Sequence, residues 1–174
     1  RTWEGYRRFE FTADGISPRG IPGYGSGTVR VDSDEHDEEG LITEDLDVRR
    51  RMVEKRNLRL EMLKDDTLKP EVYGDNSSAL ICWGSTYWLV REAIESSGAD
   101  VSMVHFSQVY PLPHDTLELL ESFDRTAVVE NNYRGQFADL LKLEGFEADE
   151  RFRRYDGMPF SVEGVAGFIE EVLL

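Results

Sequence analysis

The sequence predicts an α/β fold in which a doubly wound, mostly parallel sheet is preceded by an extended segment and a long helix. From Ala79 onward, short apolar runs alternate with amphipathic stretches, the pattern of parallel strands connected by helices. A glycine-rich segment and then a charged stretch with helical spacing come before them. We therefore expect an extended segment over 1–42, a linker helix and joint over 43–75, and an α/β domain over 76–174.

The first part is expected to be irregular. Residues 1–32 are rich in glycine, contain Pro18 and Pro22, and show almost no apolar periodicity. Such a segment buries too little apolar surface to build a core of its own. We expect it to lean on another surface.

The second part predicts one helix from Thr43 to about Asp66. Acidic residues stand in its first turn and basic residues follow, as the helix dipole favours. The turn-rich sequence LKPEVYGDNSS at 68–78 predicts the joint after the helix. A narrow apolar stripe predicts a strut docked along one side, and it consists of Ile42, Leu46, Val53, Leu60 and Leu63.

The third part predicts four strands and four helices. The strands are expected at 79–83, 100–106, 125–130 and, as a polar edge strand, 151–155. The first helix is expected from a cap at Ser85 to Ser97, where Gly98 ends it, and the second over 115–123. The third is expected from Gly135 to Glu144, where Gly145 ends it, and the fourth after a cap at Ser161. The last helix should bury its apolar face, formed by Val165, Phe168, Ile169, Val172 and Leu173.

The net charge excludes some classes of partner. Lys and Arg number 20 against 35 Asp and Glu, which gives a formal net charge of -15. We therefore expect no non-specific binding to nucleic acid or to an anionic membrane. Arginine outnumbers lysine 16 to four, and this bias beside the acid surplus fits either adaptation to high salt or an ordinary acidic protein.

The location of the protein is predicted from what the sequence does not contain. No apolar run reaches the roughly 20 residues of a membrane-spanning helix, and the N-terminal residues are unlike a signal peptide. We therefore expect a soluble, cytoplasmic protein. Because the sequence starts at Arg1 without methionine, we also expect it to be a piece of a longer chain.

Two residues inside apolar strands are predicted to be structural. Cys82 lies in the run ALICW, and as the single cysteine it cannot form an intramolecular disulfide. His105 lies in the next strand, where a hydrogen-bonded core histidine is the usual finding, in preference to a ligand or a base. We expect both side chains to be buried and unreactive.

Polar residues follow the predicted strands, at the carboxyl ends where ligands of such sheets bind. Gly84 and Ser85 follow the first strand and are either an anion site or only a helix cap. Gln108 lies in the loop after the second strand, next to a proline-rich turn. These three residues are candidates for a ligand site or an interface.

The third strand leads into the most polar turn, which contains Glu130, Asn131, Asn132 and Gln136. A carboxylate and several amides can hydrogen-bond a ligand, another chain or the neighbouring loops. Leaving such groups buried without a partner would cost about 1–3 kcal/mol each. We expect them to face another polypeptide or domain.

The segment SDEHDEEG at 33–40 places His36 among five carboxylates. A metal site needs ligands that converge, and a consecutive acidic run with one histidine lacks the spacing of zinc or calcium sites. We therefore predict no metal site in this segment.

An ordered set of motifs resembles the C-terminal part of the alpha chain of 2-oxoacid:ferredoxin oxidoreductases, especially the 2-oxoglutarate type. The match spans nearly the whole chain, and SDEHDE and ENN-x-x-GQ are its most specific pieces. The motifs are GISPRGIPG (15–23), SDEHDEEG (33–40), ED with RRRMVEKR (44–56), CWGS (82–85), PLP (111–113), VVENNYRGQ (128–136) and YDGMPF (155–160).

The resemblance implies an enzyme that decarboxylates a 2-oxo acid on thiamine diphosphate and magnesium, passes electrons through an iron-sulfur cluster to ferredoxin, and forms an acyl-CoA. It implies that residues 79–174 are a transketolase C-terminal-like domain that serves assembly, and that this fragment holds no cofactor. The partners would be the rest of the alpha chain and a beta chain, with ferredoxin and CoA acting on the complex. Arg19 and His36 join the interface or ligand candidates through their motifs.

A second hypothesis is a free-standing doubly wound module that binds a small anion at the Gly84, Gln108 and Glu130 turns. The first 40 residues separate the two hypotheses, because a self-sufficient module has no use for an extended segment without a core. This feature favours the oxidoreductase subunit.

Overall fold

The computed structural model describes residues 1–173 and divides the chain into two compact units. The first unit runs from Arg1 to Asp66 and the second begins at Thr67. The long helix therefore groups with the N-terminal segment, whereas the sequence placed it with the joint in a part of its own.

The first unit consists of irregular chain and helix α1 (Leu46–Leu63), which a short 3-10 turn (Lys64–Asp66) follows. Asp45 caps α1 by accepting hydrogen bonds from the backbone N–H groups of Asp47, at 2.8 Å, and Val48, at 2.9 Å. A negatively charged cap at this end also suits the helix dipole. The predicted helix is confirmed.

The N-terminal segment is irregular, as predicted, and it shares a small core with α1. The Tyr6 hydroxyl donates to the carbonyl oxygen of Pro18 at 2.7 Å and accepts from the Gly20 N–H at 2.6 Å. Tyr6 and Met52 are buried, with 6% and 1% of their surface exposed. The expectation that this segment leans on another surface is therefore confirmed, because α1 supplies the other side of the core.

The predicted apolar stripe of α1 is not its packed face. Leu46 is 79% exposed and Val53 is 38% exposed. The packed face is instead centred on Met52, with half-buried Val48 and Lys55 one turn to either side. A close backbone approach decides this: a Cβ on Gly15 would lie 2.7 Å from the Lys55 carbonyl oxygen, so the irregular chain touches α1 on the Lys55 side.

The second unit contains a five-stranded sheet with the strand order β1-β3-β2-β4-β5. Strands β2, β3, β4 and β5 pair in parallel, and β1 pairs antiparallel with β3 at one edge. The predicted mostly parallel sheet and the polar edge strand are confirmed. The strands are β1 (Glu71–Tyr73), β2 (Ser78–Trp83), β3 (Val101–Phe106), β4 (Arg125–Glu130) and β5 (Glu150–Arg153).

Helices cover both faces of this sheet, which makes the fold doubly wound. Helices α2 (Tyr87–Ser97) and α5 (Val162–Phe168, continued by a π-helical turn over Ile169–Leu173) share one core with the sheet. Helices α3 (Thr116–Glu121) and α4 (Gln136–Glu144) share the other. Val165 and Ile169 are fully buried, as predicted, and such burial stabilises by about 1.5–3 kcal/mol per side chain.

Two local predictions differ from the structure. The joint contains β1, which the sequence does not predict. Ser85 does not cap α2: it lies in a 3-10 turn (Gly84–Thr86), and Thr86 is the residue that precedes the helix. The buried Thr86 hydroxyl instead donates to the Trp83 carbonyl oxygen at 2.8 Å, which tightens the turn.

Candidate functional site

The carboxyl ends of β2 and β3 place the first predicted residues. Ser85 is exposed, and Gly84 has a positive φ of 60° with open space around it. His105 is buried, and its Nε2 lies 2.9 Å from the Gly84 carbonyl oxygen. His105 is therefore the core histidine that the sequence predicts, and its ring contacts the backbone of the turn at Gly84.

Gln108 interacts within its own region of the second unit. Its side-chain oxygen accepts from the Leu68 N–H at 3.4 Å, and its side-chain nitrogen lies 3.5 Å from the Tyr110 carbonyl oxygen. Both distances are long for hydrogen bonds. The half-buried Gln108 side chain remains a candidate for contact with another group.

Glu130 and Asn132 form the start of α4 and are not an outward-facing cluster. Glu130 is 1% exposed, and its carboxylate accepts from the Phe137 N–H at 2.8 Å, the Ala138 N–H at 3.0 Å and the Asn132 amide at 2.8 Å. Asn132 accepts in turn from the Gly135 N–H at 2.6 Å. These bonds satisfy the free N–H groups at the helix start, which contradicts the expectation that both residues face another polypeptide.

Asn131 and Gln136 are the exposed members of the same turn. Asn131 and Ser85 line one open depression of about 490 Å³, whose other walls come from the segment after β5. In that segment Arg154 pairs with Asp156 at 2.9 Å, and its hydrogen bond is the main cause that holds the pKa of Asp156 at about 2. The depression thus brings two predicted site residues together beside a fixed ion pair.

The acidic segment 33–40 anchors the first unit. Glu35 accepts two hydrogen bonds from the Arg56 guanidinium, at 3.0 and 2.8 Å, and these bonds lower the pKa of its carboxyl. Glu38 accepts from the Phe11 N–H at 3.0 Å. His36 stacks on Phe9 with the ring centres 3.6 Å apart. The acidic residues of segment 33–40 thus link this segment to the irregular chain at Phe11 and to α1 at Arg56.

The first unit also contains a pocket of about 260 Å³, which we call the basic pocket. Four of its residues, at positions 52, 55, 56 and 59, share one face of α1 because their spacing is i, i+3, i+4 and i+7. Loop residues and His36 form the remaining walls. Its charged or titratable side chains are Arg8, Arg19, His36, Lys55, Arg56 and Arg59.

The basic pocket unites Arg19 and His36, the two candidates that came from separate motifs. The Lys55 ammonium donates to the Phe9 carbonyl oxygen at 3.0 Å and to the Ser17 hydroxyl. Burial is the main cause that lowers the pKa of Lys55, and the charge of Arg8 acts in the same direction. The sequence does not predict this pocket, although the helical spacing of its α1 residues is a signal that points to a shared face.

Comparison with known proteins places these features in a family. No family model matches the chain. A 2-oxoacid:ferredoxin oxidoreductase alpha subunit from Sulfurisphaera tokodaii is 35% identical over 162 residues, which cover 89% of this chain and 26% of that protein. One from Aeropyrum pernix is 35% identical over 178 residues, which cover 97% of this chain and 27% of that protein. The chain belongs to the 2-oxoacid:ferredoxin oxidoreductase alpha-subunit family.

A solved structure agrees with this family. The 2-oxoglutarate:ferredoxin oxidoreductase from Magnetococcus marinus, with 2-oxoglutarate, coenzyme A and succinyl-CoA bound, matches 98% of this chain with a TM-score of 0.81 and 26% identity. The match covers 32% of the solved chain. Our chain thus spans about a quarter of the length of the curated alpha subunits that it matches. These matches do not favour a free-standing anion-binding module.

The described residues of this chain do not fit an iron-sulfur cluster or a site with three metal ligands. An iron-sulfur cluster needs several cysteine thiolates, and the one cysteine, Cys82, is fully buried. Within residues 1–173, no three His, Cys, Asp or Glu side chains converge on a possible metal position. No helix in this range is long and apolar enough to cross a membrane.

Proposed function

We propose that this chain is part of the alpha subunit of a thiamine-diphosphate-dependent 2-oxoacid:ferredoxin oxidoreductase. The reaction converts a 2-oxo acid, CoA and oxidised ferredoxin to an acyl-CoA, CO2 and reduced ferredoxin. The observation that carries the proposal is the 35% identity to alpha subunits of this enzyme over 89% of the chain. Thiamine diphosphate, magnesium and the iron-sulfur cluster would bind outside this portion.

In this proposal the α/β unit from Thr67 onward serves assembly. One pair of neighbouring aromatic side chains on its surface supports the role, because adjacent exposed apolar groups are typical of protein interfaces. The rings of Tyr133 and Tyr155 lie 5.0 Å apart, and these residues are 68% and 62% exposed. Asn131, Gln136 and Ser85 supply exposed polar groups on the same unit.

Purification of the full-length alpha subunit with its beta chain tests the activity. The complex is assayed with pyruvate, 2-oxoglutarate and branched 2-oxo acids in the presence of CoA and ferredoxin. We expect CoA-dependent reduction of ferredoxin with at least one of them. A stable, cofactor-loaded complex that reduces ferredoxin with none of these acids would contradict the proposal.

The assembly role has a separate test in the same complex. Asn131→Ala is expected to weaken the association of the alpha and beta chains, because it leaves opposing polar groups without a partner. Size-exclusion chromatography over a dilution series measures this association. If the variant assembles normally and raises the KM for a substrate, Asn131 belongs to a ligand site and not to an interface.

A further inference from the structure

The basic pocket gathers positive charge that the described chain does not neutralise. Among residues 1–173, Arg8, Arg19 and Arg59 take part in no ion pair, although the chain carries 35 acidic residues. Two nearby carboxylates already have ion-pair partners. Glu35 pairs with Arg56, and Glu38 pairs with Arg7 at 3.4 Å.

Repulsion among these cations is only partly compensated within the first unit, because the charge of Glu38 raises the pKa of Lys55 while three arginine charges lower it. The charges of Arg8, Arg59 and Arg56 all lower the pKa of Lys55. Like charges held together in a concave site are stabilised by a bound anion, which removes the repulsion. The cluster of cations is therefore better explained by the binding of an anionic ligand than by a role in folding alone.

Contacts within the first unit hold the lining of the basic pocket in place without a ligand. Lys55 is tied to the backbone at Phe9, and the His36 ring stacks on Phe9. Gly15 permits the loop to touch α1, because a side chain there would meet the backbone of Lys55 and Arg59. A preformed site loses less conformational entropy when it binds.

We propose that the basic pocket binds a diphosphate group. A volume of about 260 Å³ is smaller than the roughly 300–1,000 Å³ of pockets that enclose a whole ligand, so it suits a charged part of one. Planar guanidinium groups bind phosphate oxygens through paired hydrogen bonds, and lysine adds a point charge. Three guanidinium groups without ion pairs among residues 1–173 and an ammonium carry more positive charge than a single carboxylate neutralises, whereas a diphosphate group offers oxygens to several of them.

Free diphosphate and CoA both carry this group. CoA as the source rests on the proposed function, since CoA is a reactant of that enzyme. The diphosphate of thiamine diphosphate fits less well, because it is presented with magnesium and the lining of this pocket contains no carboxylate to hold that ion.

The test uses calorimetric titration of the full-length protein, in the assembly in which it purifies, at constant ionic strength. The injected probes are sodium diphosphate, CoA and, as a dianion without phosphate, succinate. The variant is Arg19→Gln with Arg59→Gln, two exposed side chains without ion pairs among residues 1–173. The control is Arg50→Gln, which removes an exposed positive charge from the same helix but does not line the pocket.

We expect the Kd for diphosphate to rise at least about tenfold in the double variant and to stay within about twofold in the control. The same rise for CoA identifies CoA as the source, and a rise for diphosphate alone identifies free diphosphate. Diphosphate binding that is absent, or equal in the variant and the control, overturns the proposal. Succinate binding that matches diphosphate in affinity and in sensitivity to the variant also overturns it.

This titration needs no turnover, so its result is independent of the assay of the proposed function. A complex that lacks oxidoreductase activity but shows variant-sensitive diphosphate binding contradicts the proposed function alone. An active complex without such binding contradicts the pocket alone.

Discussion

Glu130 stands at a strand end where a ligand group would be expected, yet it serves the fold. Its carboxylate is buried and accepts three hydrogen bonds, two of them from backbone N–H groups at the start of α4. A buried charge is tolerated only when its lone pairs are satisfied. Glu130 therefore connects the end of β4 to the helix that follows, and the exposed neighbours of this turn remain available to partners.

Glu130→Gln should destabilise the protein, because the new amide places N–H donors against backbone N–H donors. We expect the free energy of unfolding to fall by about 1–3 kcal/mol. Urea denaturation of this chain, followed by circular dichroism, measures it. Asn131→Ala is the matched control, since Asn131 is exposed and its side-chain hydrogen bond to the Met158 carbonyl oxygen is 3.5 Å long.

The control should change the stability of this chain by less than about 1 kcal/mol. If Asn131→Ala unfolds the chain, the amide is structural and the interface role proposed for it is wrong. If Glu130→Gln is neutral, the carboxylate does not hold the helix start.

Cys82 should be unreactive in the folded protein. Burial raises the pKa of its thiol to about 12, so the reactive thiolate is scarce at pH 8 and no reagent can reach it. We expect Ellman's reagent to label the native chain only over hours, and the urea-unfolded chain within minutes at one thiol per chain. Complete labelling of the native chain within minutes would show that Cys82 is accessible.

At the scale of elements, Gly15 joins the irregular chain to α1. Its φ is 72°, and an added Cβ would meet the backbone of Lys55 at 2.7 Å and of Arg59 at 2.8 Å. These backbone atoms belong to a regular helix and cannot move without breaking its hydrogen bonds. The contact therefore fixes which side of α1 is covered.

Gly15→Ala should cost more stability than Gly5→Ala. Both positions have positive φ, which costs a non-glycine residue about 1–2 kcal/mol, but an added Cβ at Gly5 meets nothing within 4 Å. The clash at Gly15 should add about 1–3 kcal/mol. Thermal unfolding of the two variants measures the difference, and equal losses would show that the loop does not rest on α1.

The elements from β2 onward could be predicted because each carries its own local signal. Gly98 and Gly145 end α2 and α4 in the left-handed conformation that glycine favours, and Ser161 caps α5. Strand β1 could not be predicted in this way, since its three residues depend on pairing with β3 and on hydrogen bonds of Glu71 and Tyr73 to α2. Local sequence does not encode such a tertiary contact.

The candidate sites could be predicted only in part, because tertiary contacts decide which of their residues meet. Arg19 and His36 were identified from motifs, but their meeting in one pocket depends on the path of an irregular chain. Glu130 and Asn132 were identified as polar, whereas their inward direction depends on where α4 begins. Residue types indicated the chemistry, and tertiary packing decided which groups remain available for it.

At the scale of the whole molecule, an overall surplus of acidic residues coexists with a local cluster of cations. The net charge of -15 means that the acidic side chains repel one another. The basic pocket nevertheless contains cations that form no ion pair within residues 1–173. Surface ion pairs offset little of the repulsion, because exposed pairs contribute about 0–1 kcal/mol each. The acid surplus should therefore make stability depend on salt.

The melting temperature of this chain should rise with KCl. The Debye length falls from about 10 Å at 0.1 M salt to about 3 Å at 1 M, so screening removes repulsion that the folded state suffers more than the unfolded state does. Glu170→Gln with Glu171→Gln removes two exposed acids that form no ion pair among the described residues, and should raise the melting temperature at low salt and reduce its response to KCl. Differential scanning calorimetry from about 0.1 to 2 M KCl measures both. A melting temperature that is flat or falls over this range would reject adaptation to high salt and leave an ordinary acidic protein whose repulsion is already compensated.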